Sequence, residues 1–166
     1  MLKSFIVVLV WGFISTASGR DFGYLSWDRI SSNLVLEATT VKKTARFKVG
    51  DEIVISALVR NVGKDVITLP TSCQSLDYKI SVRGPGGGAP SLTSRGKQLT
   101  TPMLMVCPRR SRKLAGGESF EVTLAVSEIY DLSQKGEYDV SIMRGSRSTA
   151  GVWSLSASPW MSLIIE

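Results

Sequence analysis

Short apolar runs with a period of two, each closed by turn residues, constrain this chain more than any other feature. Asp77 to Arg83 reads DYKISVR, so Tyr78, Ile80 and Val82 point one way and Lys79, Ser81 and Arg83 the other. Ser119 to Val126 (SFEVTLAV) repeats the pattern with Phe120, Val122, Leu124 and Val126. Glu137 to Met143 repeats it again with Tyr138, Val140 and Ile142. Side chains alternate faces along a strand, so such runs predict strands with one face on a core. Helical apolar spacing is never sustained beyond about two turns.

The remaining strand candidates fall between turn signals. Leu34 to Thr40 is the first. In Glu52 to Arg60, Ile53, Ile55, Ala57 and Val59 share a face, and Val54, Ser56 and Leu58 predict cover on the other side as well. Asn61 and Gly63 mark a tight connection into Val66 to Leu69, and Pro70, which has no N–H to give a ladder, ends that strand. Leu104 to Val106, Val152 to Leu155 and Trp160 to Ile165 complete the set, with a loop expected over Gly145 to Gly151. Residues 84–102 (GPGGGAPSLTSRGKQLTTP) form the longest loop, whose Gly and Pro content predicts no regular structure over most of its length.

Seven or eight short strands at this spacing, in a chain of 166 residues that is 43% hydrophobic, predict an all-β fold. The expected architecture is an immunoglobulin-like antiparallel β-sandwich, with a small closed barrel as the alternative. No internal repeat or long linker divides the chain, so a single domain is expected over 20–166. Residues 1–19 read as a cleaved signal peptide. Lys3 supplies the positive end, Phe5 to Ile14 the apolar run, and Ala17 and Gly19 the small residues before a cut at Arg20. The run is too short for a comfortable membrane span, so no stable span is expected after cleavage, and the mature chain is expected to be secreted or periplasmic.

That compartment bears on Cys73 and Cys107, the two cysteines of the chain. An isolated pair in an oxidising environment is most simply one disulfide, and two unpaired thiols are the alternative. If Asp77 to Arg83 paired with the chain leading into Cys107, the bridge would clamp the base of a long hairpin, worth roughly 3–4 kcal/mol in the chain-entropy model.

The chain has no histidine. This excludes Ser-His-Asp and Cys-His catalytic units and His-based zinc sites, leaving carboxylate pairs, Ser-Lys dyads and Tyr chemistry as enzyme options. The stretch YDLSQKGEYDV, Tyr130 to Val140, concentrates acids and tyrosines. Glu137 and Asp139 alternate with Tyr138 and so read as a solvated strand face. Asp131 and Ser133 suit a turn, Leu132 a plug at the end of the core, and Gly136 with Tyr138 a tyrosine corner, in which the hydroxyl bonds back to upstream backbone.

Two longer stretches carry a resemblance. LAGGESFEVTLAVSEIYDLSQKGEYDV follows the pattern L-x-x-G-E-S, alternating strand, Y-D-L-S-x-x-G-x-Y-x-V, and FKVGDEIVISALVRNVGKDVITL is similar to the strand–turn–strand that opens the same modules. The pattern resembles secreted immunoglobulin-like accessory domains, above all the non-catalytic β-domain beside deuterolysin-type zinc metallopeptidases and similar exported bacterial proteins. It covers Phe47–Leu69 and Leu114–Val140, and implies a sandwich without catalysis. The HExxH catalytic part is absent, and Gly116 stands where the pattern carries Pro. A looser similarity to small bacterial proteinase inhibitors with an immunoglobulin-like fold implies inhibition as an alternative.

The expected contact surface is basic. The formal net charge is +6. Arg109, Arg110, Arg112 and Lys113 cluster after Cys107, and Arg95 and Lys97 in the long loop are placed to join them across the hairpin. Such a cluster suits phosphate, sulfate or acidic polysaccharide, or equally a charged loop that keeps a sheet edge soluble. No aromatic residues interleave with it, so sequence-specific nucleic-acid reading is not expected. Trp153 and Trp160 read as core. The sequence therefore predicts a non-catalytic module with no cofactor and no metal. Its partner would be a protein or an anionic envelope or extracellular surface, met through the 84–102 loop and the 109–113 segment. The alternative is a secreted inhibitor of a peptidase or other enzyme presenting that loop.

Overall fold

The computed structural model describes residues 33–71, 74–100, 108, 110–148 and 153–166. The expected signal peptide, both cysteines, Arg109 and the strand expected at 104–106 lie outside them.

The chain folds as an all-β sandwich of two sheets around one apolar core. In the smaller sheet β3 (Val54–Asn61) lies between β1 (Leu34–Thr40) and β7 (Ser119–Ala125), antiparallel to both. Ile55, Ala57 and Val59 of β3 are fully buried, as their alternation demands. Ser56 on the other face is buried too, and its hydroxyl bonds the Glu121 carboxylate across the sheet.

The larger sheet is built on β8 (Gly136–Ser148), thirteen residues long. Gly145 does not break it, and residues 145–148 of the expected 145–151 loop are strand, because β9 (Trp153–Ala157) pairs with Met143–Arg147 and holds that stretch extended. Along the same edge, β10 (Met161–Ile165) pairs with Gly136–Val140. Between them Ser141 and Ile142 face three residues, Ser158, Pro159 and Trp160. That is a β-bulge, needed because Pro159 has no N–H for the ladder. Ser158 repairs it: its N–H reaches the Ile142 carbonyl at 2.8 Å, and its hydroxyl accepts from the Ile142 N–H at 3.0 Å. The bulge turns Trp160 outward, where it is 45% exposed with the Arg83 guanidinium 4.2 Å from its ring. The expectation of a core Trp160 is thus overturned, and the Trp153 side chain lies outside the described part.

The opposite edge of β8 is also interrupted. β5 (Tyr78–Arg83) pairs with Asp139–Arg144 along its whole length, and β4 (Ile67–Pro70) with Arg147 and Ser148. Between β4 and β5 the chain leaves the sheet through α1 (Gln74–Asp77), and Gly145 and Ser146 of β8 stand opposite this break. β6 (Ser111–Leu114) pairs with β4 and ends the sheet on that side, and β2 (Arg46–Phe47) runs parallel to β10 at the other end. The described residues form ten strands; β2 and β6 had no counterpart in the sequence pattern, because each is held by its pairing with β10 or β4 and not by an apolar alternation of its own.

The long loop is more ordered than its composition suggests. Residues 94–100 form α2 (Ser94–Thr100), a short helix within the stretch expected to be irregular over most of its length. Thr93 caps it, accepting from the Gly96 N–H at 2.9 Å. Gly96 lets it lie against α3 (Val126–Ile129), since a Cβ there would stand 2.0 Å from the Ile129 carbonyl oxygen. Tertiary packing on α3, not local propensity, makes this turn of helix.

Candidate functional site

Two regions carry the residues singled out by sequence. At the corner, Tyr138 is buried at the start of β8 and its hydroxyl donates to the Gln134 carbonyl at 2.7 Å. Burial raises its pKa above the usual tyrosine value. Leu132 is buried in the core. Asp131 accepts from the Ser133 N–H at 3.1 Å, and hydrogen bonds from Ser133 hold its carboxyl below the usual aspartate value. Gly136 has φ +143°, and a Cβ there would meet Pro85 Cγ at 2.4 Å, so the Gly-rich loop is docked onto the corner.

The loop itself is closed at its neck. The Gly84 N–H donates to the Gly88 carbonyl at 2.7 Å and the Gly87 N–H to the Gly84 carbonyl at 2.9 Å. Gly86 and Gly87 take φ +88° and +84°, the left-handed region that a tight turn demands here. Further stitches follow: the Asp131 N–H donates to the Ser91 carbonyl at 2.8 Å, and Tyr130 donates its hydroxyl to the Ile80 carbonyl at 2.8 Å. A groove of about 390 Å³ beside the corner is lined by residues including Lys48, Asp51, Glu52, Ser127 and Asp131. Its polar groups serve the fold. Asp51 accepts from the Lys48 N–H, and the Ser127 hydroxyl from the Ile53 N–H. Among the described residues no group of three or more His, Cys, Asp or Glu side chains is placed to hold a metal ion.

The basic residues occupy the other region. Arg112 and Lys113 are exposed on β6, the end strand of the larger sheet, and not in a loop as expected. Arg110 is exposed just before it, its carbonyl accepting from the Thr71 N–H at 2.9 Å. Register gives Arg112 and Lys113 different surroundings. Arg112 stands opposite Leu69 on the core-facing side, and its guanidinium covers the Phe120 ring at 4.3 Å. Lys113 stands opposite Thr68 on the outer face. Arg95 and Lys97 sit on α2, which packs on α3 at the corner, so the two basic groups are carried on different elements.

Sequence reasoning passed over Arg144. It is 1% exposed and is among the largest fully buried side chains. It continues the inward register of Tyr138, Val140 and Ile142, and period two extended by one residue would have placed it inside. Its Nη2 donates to the Pro70 carbonyl at 2.6 Å, bridging the break between β4 and β5. Its guanidinium lies 4.2 Å from the Tyr78 ring and 5.7 Å from that of Phe120. Burial lowers its pKa below the usual arginine value, and the same burial pushes the Tyr78 hydroxyl up to about 12, with the guanidinium pulling the other way.

No family model matches the chain, and no curated protein matches it. The resemblance to the deuterolysin-associated β-domain therefore has no sequence relative behind it. Solved structures that are similar include three. An X-ray structure of a structural-genomics target covers 82% of this chain and 89% of its own, at 9% identity and TM-score 0.47. Spo0M, the sporulation control protein of Bacillus subtilis, covers 82% and 50%, at 11% and 0.42. A CARDB domain of a Pyrococcus furiosus protein, solved in complex with di-metal ions, covers 90% and 100%, at 11% and 0.41.

Proposed function

We propose that this chain is an exported, non-catalytic binding module that meets a protein or an anionic envelope surface through the cationic end of its larger sheet. The observation that supports this best is the exposure of Arg110, Arg112 and Lys113 on and beside β6, at an edge that nothing among the described strands covers. A row of cations there keeps the edge from pairing with other strands and attracts anions at the same time. The accessory-module pattern of Phe47–Leu69 and Leu114–Val140 favours the same reading. Retention on immobilised heparin at low salt tests it. Arg110→Glu with Lys113→Glu should elute at clearly lower salt than the parent chain, because each lost phosphate- or sulfate-type contact flattens the salt dependence. Retention unchanged by the pair would place the contact surface elsewhere.

Inhibition of a peptidase or another enzyme is the second reading. It is favoured by the neck of the Gly84–Gly88 turn, which presents an exposed tip already closed by two backbone hydrogen bonds. A preordered loop loses less conformational freedom on entering a cleft.

A further inference from the structure

The outer face of the larger sheet gathers one aromatic and three polar side chains at a single place. Register sets it. Arg83 of β5 and Ser162 of β10 both stand opposite Asp139 of β8, so the three form a row across neighbouring strands, each about 5 Å from the next. Tyr138, Val140 and Leu163 are buried in the core, so Asp139 and Ser162 point outward by alternation. Two contacts draw the group together. The Ser162 hydroxyl donates to Asp139 Oδ1 at 2.7 Å. The Arg83 guanidinium lies 4.2 Å from the ring of Trp160, which comes from the other side of β8, so the two meet over that strand. Among the described side chains Trp160 is the exposed aromatic, and its 45% exposure is what remains with Arg83 in place. A cation–π contact at an exposed site adds little to stability, and an indole in water forgoes its burial. Tryptophan and arginine exposed together have the composition of a recognition surface.

We propose that Trp160, Arg83 and Asp139 form a surface site for a neutral pyranose sugar. Each side chain matches one part of such a ring. The indole face is negative and attracts the polarised C–H bonds on one side of the sugar. A stacked guanidinium spends its flat face on the indole and keeps its N–H donors at the edge, where hydroxyl oxygens can accept them. The Asp139 carboxylate takes one hydroxyl, that of Ser162, and a carboxylate has lone pairs for more. A donor and an acceptor side by side, as Arg83 and Asp139 are, suit two adjacent sugar hydroxyls, which both donate and accept. The row balances one cation against one anion, so charge favours neither an acidic nor a basic ligand. An anionic lipid surface would meet the Asp139 charge and offer its carboxylate no donor. The inference goes beyond the edge reading. It needs no charge on the ligand, and its residues lie toward the start of β8, whereas β4, which carries β6, pairs with the far end.

The Trp160 indole N–H signal in proton–nitrogen NMR spectra of the exported chain, assigned by its loss in Trp160→Ala, reports the site directly. Titration uses triacetylchitotriose, cellotriose, mannotriose and galactotriose, at a salt concentration that elutes the chain from heparin, with glycerol at matched hydroxyl concentration as control. The signal should move saturably with at least one of these sugars and not with glycerol. Calorimetry with that sugar then ranks the variants. Trp160→Ala should weaken binding by about tenfold or more, as for a central aromatic contact. Arg83→Lys, which keeps the charge and loses the flat fork, should weaken it by about tenfold. Asp139→Asn should weaken it roughly threefold to tenfold, as for a hydrogen bond that loses its charge. Thermal unfolding checks that all three fold. A signal that moves with none of the four sugars, or equally with glycerol, overturns the proposal, as does sugar binding that survives Trp160→Ala. Movement with vesicles of phosphatidylcholine and phosphatidylglycerol but with no sugar would overturn it in favour of a lipid surface. Unchanged heparin retention in the Arg110–Lys113 variant would overturn only the edge reading.

Discussion

The two ends of β8 solve the problem of leaving a sandwich in opposite ways. At its start, Gly136, Tyr138 and Leu132 close the corner with apolar packing, and the Tyr138 hydroxyl finds a carbonyl four residues back. Near its other end, Arg144 stands in the core, its guanidinium bonded to the Pro70 carbonyl and lying against the rings of Tyr78 and Phe120. The first arrangement spends its polar groups on the fold. The second keeps a cation buried in the core.

Arg144 offers the largest effect by which to break this comparison. Arg144→Ala should cost about 3–5 kcal/mol, since it opens a cavity and strips the Pro70 carbonyl of its donor. Arg144→Met, similar in volume, should be near neutral or stabilising by about 1–4 kcal/mol, as when buried ions give way to apolar packing. Denaturant unfolding of the two variants checks both, and a Met variant as damaged as the Ala one would mean that the arginine serves the fold.

Gly136→Ala sharpens the corner side. It forces a Cβ into Pro85 and a side chain into a left-handed backbone, so a loss of about 2 kcal/mol is expected in the same measurement. A smaller effect appears with pH, at both ends alike. The Tyr78 pKa is raised from 10.0 to about 12, so the folded state holds that proton more tightly than the unfolded one. Its contribution to stability is full below pH 10 and is lost as pH rises toward 12. Tyr130 and Tyr138, also raised by burial, act with the same sign. Stability measured across this range should fall, and Tyr78→Phe should make the fall shallower; a level profile in the parent chain would contradict the burial of these hydroxyls.

What was legible in the sequence followed the period-two pattern. β1, β5 and β7 fall within a residue of their expected bounds, since each strand shows one face to the core and turn residues close it. Features that depend on a distant partner were not legible. α2 exists because Gly96 lies against Ile129, and Trp160 faces outward because Pro159 forces a bulge. The basic segment showed its charge but not its strand, because β6 is held by β4 and Ser111–Leu114 has little apolar pattern of its own. Arg144 was hidden by its type: a charged residue beside a glycine ends a strand by rule, and here the pairing of β5 and β9 on either side carries β8 through.

The division of labour between edge and corner is tested most directly by measuring heparin elution and unfolding free energy on two variants together. Arg110→Glu with Lys113→Glu should lose retention while stability stays within about 0.5 kcal/mol, as for exposed side chains. Tyr138→Phe should lose about 1 kcal/mol of stability, as for one buried hydrogen bond, and keep its retention. The reverse pattern, an edge variant that unfolds or a corner variant that no longer binds, would contradict the account.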